Sequence, residues 1–126
     1  WARHNLQLNG FDDPGKYRFI QADVKPFLSD VPAGYYDIII MDPPTFSNSK
    51  RMKDILDIQR DHVPLINGCL RGMKTGGLLY FSTNYTKFQL NTPAIHSKDI
   101  KDITKLTTPF DFEKKLKRWC YLVEKN

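Results

Sequence analysis

The chain has 126 residues, 40% of them hydrophobic, which is enough for one domain with a real core and too few for two. Its 19 Lys and Arg exceed its 14 Asp and Glu, so the formal net charge is +5. This excess favours anionic partners, although a merely basic soluble protein has the same balance. No apolar run approaches a bilayer span and no segment resembles a signal peptide, so we expect a cytoplasmic protein without membrane contact.

The chain has two cysteines and three histidines, and none has a metal-ligand spacing. Cys69 and Cys120 are far apart and lie in apolar surroundings. We expect both to be buried, reduced thiols, and we expect no metal site.

The first predicted elements are a helix end, a strand and a short helix. The chain begins at Trp1 inside a helix that ends at Asn9-Gly10, where glycine favours a left-handed stop. Residues 17–21 alternate and are aromatic and β-branched, which predicts a strand. Asp23 is placed as the N-cap of a short helix over residues 24–28.

A strand over residues 36–41 then leads into the most informative stretch of the chain. Its continuous apolar run suits a parallel strand covered on both faces. Asp42 follows at its carboxyl end, the edge where open α/β sheets bind ligands. Pro43 and Pro44 cannot extend a central strand, so the chain must turn there. A loop that merely ends the strand is the alternative to a functional site.

The second half of the chain predicts a long helix and three further strands. A helical pattern over residues 55–73 contains Pro64, which predicts a kink or two helices meeting near His62. The later elements are predicted at residues 78–82 (strand), 87–90 (at most a short helix), 100–107 (strand), 109–113 (turn) and 118–124 (strand). Strands alternating with helices, followed by two late strands, predict the second half of a Rossmann-like α/β sheet.

The sequence Asp42-Pro43-Pro44-Thr45-Phe46 resembles motif IV of S-adenosylmethionine-dependent methyltransferases, with one residue inserted before the aromatic. The longer string from Asp42 to Arg51, with Gln59-Arg60-Asp61-His62 downstream, resembles the large-subunit ribosomal RNA methyltransferases. Among these it is most similar to the C-terminal half of fused bifunctional enzymes, the half that methylates guanine N7 of 23S ribosomal RNA. The resemblance implies S-adenosyl-L-methionine as the cofactor and ribosomal RNA as the partner.

The resemblance also implies a class I methyltransferase fold that is truncated at its N-terminus. The first strands and the glycine-rich loop of the family would precede Trp1, and the chain contains no G-x-G-x-x-G. The strand at residues 17–21 then cannot pair with the strand at residues 36–41, and an apolar sheet edge lies bare. We therefore expect residues 1–126 to be one portion of a methyltransferase domain, inactive alone and stabilised by the missing N-terminal part or by self-association.

Candidate cofactor and catalytic residues follow from the resemblance, residue by residue. The Asp23 carboxylate matches the position that accepts a hydrogen bond from the adenine amino group, with the Ala22 backbone N–H nearby. Without the resemblance, an Asp at such a position is more often only a helix cap, and both roles can coexist. Asp42 is assigned to both cofactor and catalytic sites, and the reacting base would rest against Pro43, Pro44 and Phe46.

The chemistry of the acceptor distinguishes three outcomes. Guanine N7 carries a free lone pair and needs no base, whereas an exocyclic amine must lose a proton. Asp42 is compatible with either acceptor, and only the longer resemblance favours N7. Methylation of cytosine C5 needs a thiolate, and neither Cys69 nor Cys120 is predicted at a strand's carboxyl end.

Substrate contacts are predicted outside the strand itself. Lys50 and Arg51 are candidate phosphate ligands in a polar, basic loop, with a solvated flexible loop as the alternative. Asn84 is placed at the same edge of the sheet as Asp42. Tyr85 is a candidate base-stacking residue or a core aromatic, and His62 is expected to be a packed residue rather than a general base.

These observations lead to an enzyme that transfers methyl from S-adenosylmethionine to guanine in large-subunit ribosomal RNA. A non-catalytic RNA-binding or assembly module with a partial methyltransferase fold is the main alternative. A small-molecule methyltransferase is the third.

Overall fold

The computed structural model describes residues 1–47, 56–112 and 117–126. In chain order, its helices and strands are α1 (Ala2–Leu8), α2 (Val24–Asp30), β1 (Tyr36–Met41), β2 (Phe46–Ser47), β3 (Leu56–Asp57), α3 (Ile58–Gly72), β4 (Met73–Thr83), β5 (Asp99–Asp102) and β6 (Trp119–Glu124). Short 3-10 turns lie at Thr92–Ala94 and Phe110–Phe112. No helix in these residues has the length and apolar character needed to cross a membrane.

A mixed sheet with the order β1-β4-β6-β5 forms the centre of the fold. β1 runs parallel to β4, and β6 is antiparallel to both β4 and β5. Met41 lies opposite Phe81, so β1 and β4 end at the same edge of the sheet. The predicted α/β class, its parallel pair and its two late strands are confirmed.

The core lies between α3 and one face of the sheet. Alternate residues of β4 face the helix, so Leu79 and Phe81 are fully buried while Leu78 and Tyr80 are half-buried. α3 contributes the apolar side of its surface: Ile58, Leu65, Ile66, Cys69 and Leu70. Each fully buried Leu, Ile or Phe side chain stabilises the fold by roughly 1.5–3 kcal/mol.

Helix α3 is continuous, so of the two predicted alternatives, a kink at Pro64 or two helices meeting near His62, the second is wrong. Pro64 lies inside the helix and removes one backbone hydrogen bond. The burial of apolar side chains on both sides of Pro64 stabilises α3 by more than the missing hydrogen bond costs. The Asp57 carboxylate caps the helix by accepting from the backbone N–H groups of Gln59 and Arg60, at 2.9 and 3.3 Å.

Helix α2 forms as predicted and is fastened to α3 at its far end. The Asp23 side chain caps it by accepting from the Lys25 backbone N–H at 3.2 Å. The Arg71 guanidinium, from the last turn of α3, donates to the backbone carbonyls of Val31 at 3.0 Å, Ser29 at 3.1 Å and Leu28. The last carbonyls of a helix have no hydrogen-bond donor within the helix, and the Arg71 side chain supplies donors to those of α2.

Two strand predictions need correction. Residues 17–21 form no strand, because a strand needs a neighbour and no described residue pairs with them. β1 forms where predicted, but it is an edge strand and is not covered on both faces: Ile38 is 59% exposed and Ile40 is 78% exposed. The predicted bare apolar edge is therefore confirmed.

The region after β4 also differs from expectation. Residues 87–90 form no helix. The strand predicted over residues 100–107 ends at Asp102, whose carboxylate accepts from the Thr104 backbone N–H at 2.9 Å. The Thr107 hydroxyl donates to the Ile103 carbonyl at 2.9 Å. These side-chain bonds favour a turn over continued strand pairing.

Candidate functional site

A cavity of about 870 Å³ lies along β1, from Tyr36 at its start to Pro44 just beyond its carboxyl end. Its volume is in the range of small-molecule sites, roughly 300–1,000 Å³. Most of its wall is apolar, and carboxylates lie at its rim. The residues that line it are Gln21, Ala22, Asp23, Val24, Phe27, Leu28, Tyr36, Ile38, Ile39, Ile40, Met41, Asp42, Pro43, Pro44, Leu56 and Cys69.

Ala22 and Asp23 are brought to this cavity by the start of α2. α2 leads back toward the start of β1, so its N-terminus lies near the end of that strand. One Asp23 oxygen, Oδ1, is occupied by the helix cap. Within the described residues the other oxygen has no hydrogen-bond partner. A cap and a ligand contact are therefore compatible in Asp23.

Asp42, Pro43 and Pro44 form the adjoining wall of the same cavity. Asp42 is exposed and accepts a hydrogen bond of 2.6 Å from the Ser82 hydroxyl, on the neighbouring strand β4. The structure thus places Asp23 and Asp42, which are separated in sequence by a helix and a strand, on the wall of one cavity. Asp42 was predicted at a strand's carboxyl end and Asp23 at a helix N-terminus, but Ser82 was not predicted, because its only signal is its register in β4.

Phe46 lies outside the cavity wall, on the short strand β2. It is 57% exposed, and its ring centroid is 6.3 Å from that of Tyr85, edge to face. β2 is held in place by its antiparallel pairing with β3. Just before β2, the Thr45 carbonyl accepts from the Ile58 backbone N–H at 3.2 Å. Phe46 therefore presents an aromatic surface next to the cavity.

Asn84 and Tyr85 follow β4 at the edge that also carries Asp42. Asn84 is exposed and does not line the cavity. The Tyr85 backbone is held on both sides: its N–H donates to the Thr83 hydroxyl at 3.2 Å, and its carbonyl accepts from the Trp119 indole at 3.1 Å. The predicted phosphate ligands Lys50 and Arg51 lie outside the described residues.

The Gln59-Arg60-Asp61-His62 string has a structural role. The Gln59 side chain makes two hydrogen bonds with the Gln89 backbone, at 3.0 and 2.9 Å. His62 is buried; its Nδ1 lies 2.9 Å from the Gln59 carbonyl, and its Nε2 accepts from the Asn91 backbone N–H at 3.1 Å. The prediction that His62 is a packed residue is confirmed.

Asp61 connects α3 to α2. Its carboxylate accepts from the Arg60 side chain at 2.8 Å and from the Asp57 backbone N–H at 3.1 Å, and the Lys25 ammonium lies 3.4 Å away. The Arg60 side-chain hydrogen bond is the main reason that the pKa of Asp61 is well below its usual range, with burial opposing it. Asp61 is therefore an ionised structural residue.

The two cysteines are buried, as predicted. Cys69 lines the cavity, but it is fully buried and this burial raises the pKa of its thiol to about 12. Cys120 lies opposite Ser82 on β6. A buried thiol with so high a pKa is a poor nucleophile, which argues against a thiolate mechanism at Cys69. Among residues 1–47, 56–112 and 117–126 there is no group of three potential metal ligands.

Comparisons with known proteins agree with this geometry. The chain is 47% identical over 112 residues to the ribosomal RNA large subunit methyltransferase K/L of Ectopseudomonas mendocina, covering 89% of this chain and 15% of that protein. It is 42% identical over 123 residues to the ribosomal RNA large subunit methyltransferase K of Neisseria meningitidis serogroup B, covering 96% of this chain and 34% of that protein. The chain thus spans at most about a third of these relatives. No family model matches it.

Solved structures show the same fold. A candidate methyltransferase, SMU.776, in complex with SAH superposes with a TM-score of 0.67 at 19% identity, covering 96% of this chain and 34% of that structure. A SAM-dependent methyltransferase from Archaeoglobus fulgidus gives a TM-score of 0.51 at 12% identity, covering 94% of this chain and 72% of that structure. The chain is therefore similar, along nearly its whole length, to a segment of the ribosomal RNA large subunit methyltransferase K/L proteins, and it has the fold of class I SAM-dependent methyltransferases.

Proposed function

We propose that this chain is the C-terminal portion of a methyltransferase domain, and that the complete enzyme methylates guanine, at N7, in 23S ribosomal RNA in the cytoplasm. One observation carries the proposal: Ala22, Asp23, Asp42, Pro43 and Pro44 line a single cavity. The resemblance assigns the first two to cofactor binding and the prolines to the acceptor base. A cofactor and a base can react only where two such groups of residues share one space.

The residues around the cavity suit S-adenosyl-L-methionine. The apolar wall made by Val24 and Phe27 can cover an adenine ring, and the uncapped oxygen of Asp23 can accept from its amino group. Asp42 is an acceptor when ionised, so it suits the N–H groups of a ligand. This cofactor supplies an electrophilic methyl carbon bonded to a positively charged sulfur.

Methyl transfer asks the protein mainly to align two partners and exclude water. With S-adenosylmethionine bound, the N7 lone pair would take the methyl carbon, and the electron pair of the carbon–sulfur bond would stay on sulfur. No proton moves, so the step needs no general base. The rigid Pro43-Pro44 turn can fix the plane of the base while Asp42 holds its edge.

Ribosomal RNA is the proposed substrate because of the features outside the cavity. Phe46 offers an exposed ring next to Tyr85, and aromatic rings of this kind stack unpaired bases. Lys50, Arg51 and Asn84 are the further proposed RNA contacts. The formal charge of +5 favours the same partner.

The exposed edge of β1 supports the proposal that upstream residues complete the enzyme. Ile38 and Ile40 are exposed on a strand that pairs with β4 on one side only among the described residues, and such sheet edges are normally paired or covered. We therefore expect the isolated chain to be inactive and to self-associate. Sedimentation of the isolated 126 residues tests this: a monomer that unfolds cooperatively in dilute solution contradicts it.

The decisive experiment uses the full-length enzyme, 23S ribosomal RNA and radiolabelled S-adenosylmethionine. We expect label in the RNA, and chain cleavage specific for N7-methylguanine maps the modified atom. Label at an exocyclic amine refutes the N7 assignment alone. RNA binding that weakens with salt, without cofactor binding or methyl transfer, favours the non-catalytic RNA-binding module.

Substitutions of Asp42, which follows β1, and of Asp37, which lies within β1, test the assigned site. Asp42→Ala is expected to lower turnover by roughly 100-fold or more, since misalignment at the reacting centre is costly. Its effect on stability should be below about 1 kcal/mol because Asp42 is exposed. Asp37→Ala removes an exposed carboxylate paired with Lys74 and serves as the matched control. Equal losses of activity and stability in Asp42→Ala reduce Asp42 to a structural turn.

A further inference from the structure

The Asp42 carboxylate has one hydrogen-bond partner among the described residues, the Ser82 hydroxyl. Ser82 donates to Oδ1 at 2.6 Å, a short distance for a hydroxyl bonded to a carboxylate. The second oxygen, Oδ2, accepts no hydrogen bond from the described part of the chain. The two oxygens of this carboxylate therefore have different surroundings.

The register of the sheet brings this pair together. Met41 is paired with Phe81, so the next residues along the parallel strands, Asp42 and Ser82, are level with each other. Pro43 restricts the backbone of Asp42 to extended conformations. With the backbone fixed, the rotation of the Asp42 side chain is the freedom that remains, and the Ser82 hydrogen bond restricts it.

Ser82 itself stays outside the ligand cavity, whereas Asp42 lines it. The hydroxyl thus lies on the β4 side of the carboxylate, and the cavity lies on the β1 side. A contact on one side of a carboxylate leaves its other oxygen free to accept from a ligand.

We propose that Ser82 is a positioning residue, whose hydroxyl holds Oδ1 of Asp42 so that Oδ2 is directed at the N–H groups along the edge of the acceptor purine. This inference rests on the proposed function and adds to it a residue that touches neither cofactor nor base. Loss of the hydroxyl lets the Asp42 side chain rotate, so the base is held in fewer productive orientations.

The test is a double-mutant cycle in the full-length enzyme, measured as single-turnover methyl transfer to 23S ribosomal RNA. Ser82→Ala is expected to lower the rate roughly 10- to 100-fold, while the dissociation constant for S-adenosylmethionine changes much less. Ser82→Thr keeps a hydroxyl and should restore most of the rate. In an Asp42→Ala background, Ser82→Ala should cause no further loss, because its effect passes through that carboxylate.

Ser29→Ala is the matched control, since it removes a hydroxyl that donates to the Lys25 carbonyl and lies away from the cavity wall. It should leave the methyl-transfer rate unchanged. A Ser82→Ala loss that is equally large with and without Asp42 indicates a general effect on the sheet and overturns the proposal. A Ser82→Ala rate equal to that of the wild type overturns it as well.

A structural measurement separates this proposal from the proposed function. If the full-length enzyme transfers no methyl group to RNA, the proposed function fails, but the orientation of Asp42 can still be compared in crystals of the wild type and Ser82→Ala. A rotated or disordered carboxylate in the variant supports the positioning role. An unchanged carboxylate refutes it, whichever substrate the enzyme uses.

Discussion

Replacing Asp61 with asparagine should loosen the junction between α2 and α3. Asp61 is 6% exposed, and its ionised carboxylate accepts from the Arg60 side chain and the Asp57 backbone while facing the Lys25 ammonium. Asparagine keeps one oxygen but removes the charge and turns an N–H group toward another donor. The change leaves the volume of the side chain nearly constant. Any decrease in the free energy of unfolding therefore comes from the lost charge and hydrogen bonds.

The magnitude follows from these contacts. A hydrogen bond to a charged group contributes about 1.5–3 kcal/mol, and an exposed ion pair contributes only about 0–1 kcal/mol. We expect Asp61→Asn to cost about 2–3 kcal/mol, because Asp61 is buried but its partners Arg60 and Lys25 are partly exposed. Since about 1.4 kcal/mol is a factor of ten, amide exchange in α2 and α3 should become roughly 30- to 150-fold faster.

The stability lost in Asp61→Asn should depend on pH. The pKa of Asp61 is lowered in the folded state, chiefly by the Arg60 side-chain hydrogen bond, so the unfolded chain takes up a proton at a higher pH than the folded chain. The stability that Asp61 contributes is therefore fully present above the unfolded pKa of about 3.9 and falls as the pH drops below it. The difference between wild type and Asp61→Asn should be constant near neutral pH and shrink below about pH 4.

Hydrogen exchange of the full-length enzyme, read by mass spectrometry on peptides from α2 and α3, measures this effect. Asp37→Asn is the control, because it makes the same chemical change in an exposed ion pair with Lys74. Equal exchange rates in the two variants refute the reasoning. A large Asp61→Asn effect that persists unchanged at about pH 3 refutes the linkage to ionisation.

Three further predictions concern buried residues. Cys69, whose thiol pKa burial raises to about 12, should resist iodoacetamide in the folded enzyme and react after unfolding, as followed by mass spectrometry. Gly72→Ala should destabilise by about 1–3 kcal/mol in thermal unfolding, because the new Cβ would lie 2.8 Å from Cγ1 of the stiff, buried Val31. His62→Ala should leave the Asn91 backbone N–H without its acceptor, at a cost of about 1–3 kcal/mol measured by exchange of that amide.

Each of these has an outcome that contradicts it. Rapid alkylation of Cys69 in the native enzyme shows that the thiol is accessible. Gly68→Ala is the control for Gly72→Ala, since its nearest contact is 3.3 Å to the flexible end of Leu28, and equal losses refute the steric argument. Unchanged exchange at Asn91 in His62→Ala shows that the hydrogen bond contributes nothing.

Patterns in the sequence correctly predicted the features that depend only on neighbouring residues. The Asp23 cap needs only its own helix, and β1 ends at Met41 because Pro43 and Pro44 follow two and three residues later. The motif resemblance then predicted that Asp23 and Asp42 meet in one cavity, and the structure places both there.

Features that depend on distant partners were not predictable in the same way. Residues 17–21 have a strand-like composition, yet composition cannot supply the neighbouring strand that pairing requires. The Ser82 contact depends on the register of two strands about forty residues apart, a register that no local pattern specifies. The exposure of Ile38 and Ile40 likewise follows from strand order.

The antiparallel direction of β6 has a consequence for how such a scaffold can diverge. Trp119 begins this strand opposite Thr83, so the connection from β5 reaches the sheet at the edge where β1 and β4 end. In the described part of this connection, the Arg118 guanidinium donates to the Thr107 carbonyl at 3.1 Å. Insertions or charge changes in such a surface connection leave the buried strands intact, which offers evolution a separate place to adjust selectivity.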